Sequence, residues 1–102
     1  MTHDDVLKWA SRGALEITCV SLAFGEIETV GGTLADGEAW SMTADALCDA
    51  IASGIRYFMR TSSSAFLVTA HRQQNGKVAL GTGLHENALF LLPRCPRQHS
   101  RR

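Results

Sequence analysis

Phe66-Leu67-Val68-Thr69-Ala70-His71, then Asn75-Gly76, then Lys77-Val78-Ala79-Leu80-Gly81-Thr82: the reading of this stretch decides the fold. Phe66, Val68 and Ala70 alternate with Leu67, Thr69 and His71, the period-two signature of a half-buried strand. Val78 and Leu80 share one face of a return strand. Between the two runs stands Asn-Gly. Both central residues of a type I′ turn need positive φ, and this pair tolerates it best, so a tight two-residue hairpin is predicted here.

Upstream, residues 55–60 are also extended, with Tyr57 and Met59 opposed to Phe58. Before them lies the best helix. Trp40-Ser41 is expected to open it, with Ser41 as N-cap and Trp40 stapled against the first turn. Asp45 suits the positive end, Leu47, Ala50 and Ile51 form an apolar stripe, and Ala44 and Cys48 flank it. Gly54 stands where a left-handed C-terminal residue is needed. Earlier still, residues 15–22 alternate as a strand. Gly25 interrupts, and residues 26–30 extend again, which suggests a hairpin. Gly31-Gly32 and Asp36-Gly37 read as turns. Residues 4–12 suggest a short helix ended by Gly13, residues 88–92 a strand or turn across the core, and Pro93 and Pro96 a stop.

The expected fold is α+β: a small antiparallel sheet of about five strands with one main helix packed on it, in the order ββαβββ. The domain is placed at residues 15–96, with an N-terminal extension over 1–14 and a basic tail over 97–102. A chain of 102 residues, 45% hydrophobic and 20% charged, suits one globular domain and no more. No run of ~18 apolar residues is present to span a bilayer, so no membrane partner is expected. The start, Met-Thr-His-Asp-Asp, lacks the basic-then-apolar order of a signal peptide. Cys19, Cys48 and Cys95 are odd in number and widely spaced, which predicts reduced thiols and a cytoplasmic protein.

Ten basic and ten acidic residues cancel, but they are not mixed. Residues 1–49 hold nine acids against Lys8 and Arg12; residues 50–102 hold eight bases against Glu86. The simplest account is that strands from the two halves pair and bring opposite charges together.

Several residues in this order resemble the uncharacterised bacterial domain-of-unknown-function family 3892. They are Ile27-Glu28-Thr29-Val30-Gly31-Gly32, Trp40-Ser41, Ile51 and Gly54, Tyr57-Phe58, Val68, Asn75-Gly76, and Val78, Leu80 and Thr82. Asn87, Leu89, Leu91-Leu92-Pro93 and Cys95-Pro96 complete the set. The resemblance covers roughly residues 15–96 and implies a compact α+β domain, with no activity, substrate or cofactor attached. Ala88 departs from it where a second Asn is usual, and the residues about His85-Glu86 depart from the family's small polar ones.

No catalytic constellation stands out. Cys95 and His99 have the spacing of a zinc pair, but no second close pair completes four ligands, so neither metal nor cofactor is expected. Cys48 sits mid-helix, the wrong place for an activated thiolate. Gly81-Thr82-Gly83 lacks the third glycine of a dinucleotide fingerprint. The candidate ligand or interaction loop is His85, Glu86 and Asn87, with Gly31 and Gly32 as possible neighbours. Arg94, Arg97, Arg101 and Arg102 are candidate contacts to an anion or nucleic acid. The leading expectation is a non-enzymatic module that binds a protein partner or its own copy through a sheet edge. The alternatives are a nucleic-acid accessory protein working through the tail, and a small ligand binder or enzyme using the His85–Asn87 loop.

Overall fold

The computed structural model describes residues 13–34, 36–61, 64–83 and 88–96. The helix expected over 4–12, the loop His85–Asn87 and the tail 97–102 lie outside the described residues. The elements in order are β1 (Leu15–Ile17), β2 (Cys19–Ala23), β3 (Glu26–Thr33), β4 (Ala39–Thr43), α1 (Ala44–Ala52), β5 (Tyr57–Arg60), β6 (Ala65–Arg72), β7 (Val78–Thr82) and a 3-10 turn (Ala88–Leu91).

The fold is α+β with one main helix, as expected, but among the described residues the single antiparallel five-stranded sheet is corrected to seven strands in two sheets, one of them with a parallel pair. One sheet runs β1-β5-β6-β7, the other β2-β3-β4. The expected strand over 15–22 is split at Thr18, whose N–H donates to the Gly31 carbonyl at 2.8 Å. Its first part pairs with β5 in parallel and its second part with β3 antiparallel, so one run of chain serves both sheets.

The extra strand is β4. Trp40 and Ser41 pair with Gly32 and Gly31, so Ser41 is not the helix cap. Thr43 takes that place: its hydroxyl accepts from the Ala46 N–H at 3.1 Å. Both residues have the cap chemistry, and β pairing claims Ser41 first. The helix ends as expected. Gly54 has φ +100°, its N–H donates to the Ile51 carbonyl at 3.0 Å, and the Ile55 N–H donates to that of Ala50 at 3.0 Å, a Schellman motif.

Gly31 and Gly32 are likewise strand residues, not a turn. A Cβ on Gly32 would collide with the Glu16 carbonyl and meet the Trp40 ring at 2.9 Å. One on Gly31 would meet the sulfurs of Cys19 and Cys95 at 3.1 and 3.3 Å. These glycines are demanded by close approach across the sheet. Trp40 also packs on Tyr57, ring centroids 5.9 Å apart. Its Nε1–H is buried and has no acceptor among the described residues.

The expected two-residue turn at Asn75-Gly76 is a longer loop. The Gly76 N–H donates to the Gln73 carbonyl at 2.9 Å and the Gln73 N–H to that of Lys77 at 2.7 Å. Only Gly76 of the pair has positive φ. This is a three-residue hairpin closed by a left-handed glycine. The two-residue hairpin with positive φ at both positions falls instead on Phe24 (φ +54°) and Gly25 (φ +77°), between β2 and β3.

Cys19 and Cys95 form a disulfide, which corrects the expectation of reduced thiols. The C-terminal segment reaches β2 because the Val20 N–H donates to the Pro93 carbonyl (3.0 Å) and the Cys95 N–H to the Val20 carbonyl (2.9 Å). That pairing brings together two sulfurs that are 76 positions apart in sequence. Cys48 remains a free, buried thiol on α1.

One core joins both sheets, the helix and the 3-10 turn: Ile17, Val20, Val30, Leu47, Tyr57, Met59, Val68, Leu80, Leu89 and Leu92 are buried together. The described ion pairs all link the acidic half of the chain to the basic half. Arg60 meets Glu16 at 3.7 Å, Lys77 meets Glu26 at 3.2 Å, and Arg72 bridges Asp45 (2.5 Å) and Asp49 (3.0 Å) on α1. Those pairs hold Arg72 above the usual arginine range, the Asp45 hydrogen bond first.

Candidate functional site: a cleft along the β7 edge

Cross-strand pairing puts His71 opposite Ala79 and Thr69 opposite Gly81. Directly paired residues share a face. Strand β6 therefore presents a polar row, Thr69 and His71, continued by Gln73. Strand β7 answers it with two of the smallest side chains. The space so left is part of a cleft of about 380 Å³. Glu26 and Ile27, from the start of β3, form one wall, and Phe90, from the 3-10 turn, forms another. All five residues of β7 line it.

Among the described residues, strand β7 is the last in its sheet. The Lys77–Glu26 ion pair, half exposed on both sides, ties the β6–β7 turn to the β2–β3 hairpin at one end of the cleft. Volume and composition together suit the docking of one apolar side chain or a small polar organic group, between an aromatic wall and a row of hydrogen-bonding side chains. Among the described residues, no group of three or more His, Cys, Asp or Glu side chains could hold a metal ion.

The residues singled out from sequence are scattered. Gly31 and Gly32 lie within β3 and do not line the cleft. Arg94 pairs in parallel with Val20, and its guanidinium donates to the Leu92 carbonyl at 3.1 Å. His85, Glu86 and Asn87, with Arg97, Arg101 and Arg102, lie outside the described residues. The loop is bracketed in sequence by Thr82 and Phe90, and both of these line the cleft.

Sequence reasoning missed Phe24, whose side chain is fully exposed at the tip of the β2–β3 hairpin. The signal was there: a Phe-Gly pair between two extended runs puts a bulky aromatic where Asn or Gly is the ordinary choice. Thr69 and His71 were legible with Leu67 as one face of an alternating strand, but Gln73 was not, and the room in front of them comes from Ala79 and Gly81.

No helix among the described residues is long and apolar enough to cross a membrane. The chain matches no protein-family model, no curated protein and no solved structure.

Proposed function

We propose that the chain is a non-enzymatic interaction module that docks a protein segment in the cleft along β7. One observation carries this reading: a concave, aromatic-walled cleft runs along a strand that, among the described residues, ends its sheet, where a partner's chain can add backbone hydrogen bonds beside Val78–Gly81 and a side-chain anchor. The polar row Thr69–His71–Gln73 gives such a partner direction. The resemblance to family 3892 stays beside this reading as a proposal, and it rests on the order of residues 27–32, Ile51, Gly54 and Leu92-Pro93 in the sequence.

The Cys19–Cys95 disulfide favours an oxidising compartment over the cytoplasm, because disulfides persist where thiol buffers do not reduce them.

Ala79→Arg tests the docking surface, because it fills the cleft from a position outside the buried core. Peptides selected from a displayed library, and any second copy of the chain, should lose binding to this variant while its melting temperature holds. Binding indifferent to Ala79→Arg would contradict the reading, as would the failure of every peptide and of self-association.

A further inference from the structure

Phe24 has a conformation and an exposure that the free chain does not explain. Its φ is +54°, a region that bulky residues rarely enter, and it is fully exposed. Asn or Gly would make the same turn without strain and without exposing a ring to water. Two and three residues further on, Glu26 and Ile27 line the cleft. A protruding aromatic therefore stands two residues along the chain from the lining of a recess. Beside them lies an opposite-charge pair, Glu26 and Lys77, 3.2 Å apart and each more than half exposed.

Such a surface complements itself. A two-fold axis through it would set each Phe24 opposite the other copy's recess and each Glu26 opposite the other copy's Lys77. The geometry points to a symmetric dimer of this chain, in which the Phe24 ring of each protomer enters the cleft of its partner. There it meets Ile27, Ala79 and Phe90, while the Glu26 and Lys77 pairs exchange across the axis. A cleft of about 380 Å³ is at the small end of the ~300–1,000 Å³ over which proteins hold organic groups, the right scale for one benzyl group and the hairpin tip behind it. This inference rests on the docking reading above and names the occupant.

Sedimentation across a concentration series tests it. The parent chain should pass from monomer to dimer. Phe24→Asn should raise the dimer dissociation constant by about 100-fold or more, since two central aromatic anchors are lost per dimer. Asn accepts positive φ, so the melting temperature of that variant, measured where both proteins are monomeric, should equal or exceed the parent's. Glu26→Lys alone and Lys77→Glu alone should each self-associate poorly. Mixed together, the two should associate again, because like charges then face opposite ones across the axis. A parent that stays monomeric throughout overturns the dimer, and the docking reading then stands or falls on the Ala79→Arg experiment. A dimer that ignores Phe24→Asn, or single charge variants that do not recover on mixing, overturns this interface.

Discussion

At the scale of single residues, the structure assigns roles that chemistry alone leaves open. Gly32 is the sharpest case: its missing Cβ leaves space for the Trp40 ring and the Glu16 carbonyl. Gly32→Ala should cost about 1–3 kcal/mol in urea unfolding, the usual range for overpacking. Gly83→Ala, where a Cβ meets nothing within 4 Å, should stay within about 0.5 kcal/mol. Equal costs at the two positions would remove the close-approach argument. Read from sequence, Gly31-Gly32 signals a turn, because the ring, disulfide and carbonyl that demand glycine come from elsewhere in the chain. Tyr57 carries a pH prediction. Burial raises its pKa above 10.0, and its hydroxyl donates to the Met42 sulfur at 3.6 Å. A raised tyrosine pKa favours the neutral form in the folded state. Its contribution is therefore intact below the unfolded value of about 10 and is lost as pH rises past it. Unfolding curves from pH 8 to 11 should show an alkaline decline that is shallower in Tyr57→Phe.

Among the elements, some local signals carry through to the structure, while those that pairing can override do not. The alternation at Phe66–His71 and the left-handed Gly54 depend on near neighbours, and both stand in the structure as expected. Strand β4 was hidden because Ser41 and Thr43 have equal cap chemistry two positions apart, and only pairing with β3 decides between them. Thr43→Ala should lower stability by about 1 kcal/mol through loss of the bond from the Ala46 N–H, and Ser41→Ala by much less. The reverse order in thermal or urea unfolding would restore the helix to its earlier start. Asn75-Gly76 makes a similar point: the pair does mark a hairpin, but only its glycine takes the left-handed position. The β7 cleft was not legible, since its walls come from β3, β6, β7 and the 3-10 turn.

On the scale of the whole molecule, the two halves of the chain are joined by charge, by backbone pairing and by one covalent bond. The expected pairing of opposite charges across strands from the two halves holds for Arg60 and Glu16 on β5 and β1, whereas Arg72 meets acids of the helix and Lys77 meets an acid of the other sheet. These pairs are exposed enough that raised salt should change stability little. The Cys19–Cys95 bond closes a loop across 76 positions, and chain entropy alone assigns it about 4–5 kcal/mol. Adding a dithiol reductant, or replacing both cysteines by serine, should lower the urea midpoint accordingly; an unchanged midpoint would show that the bond constrains nothing. The same architecture leaves Phe24 exposed two residues from the lining of the β7 cleft, which is the basis of the proposed dimer. Amide chemical shifts followed through a dilution series test that claim most directly. Shifts confined to Phe24–Ile27, Thr69–Gln73, Val78–Thr82 and Phe90 are the predicted result. Spectra that do not change with concentration, or changes centred on β4 or α1, would contradict it.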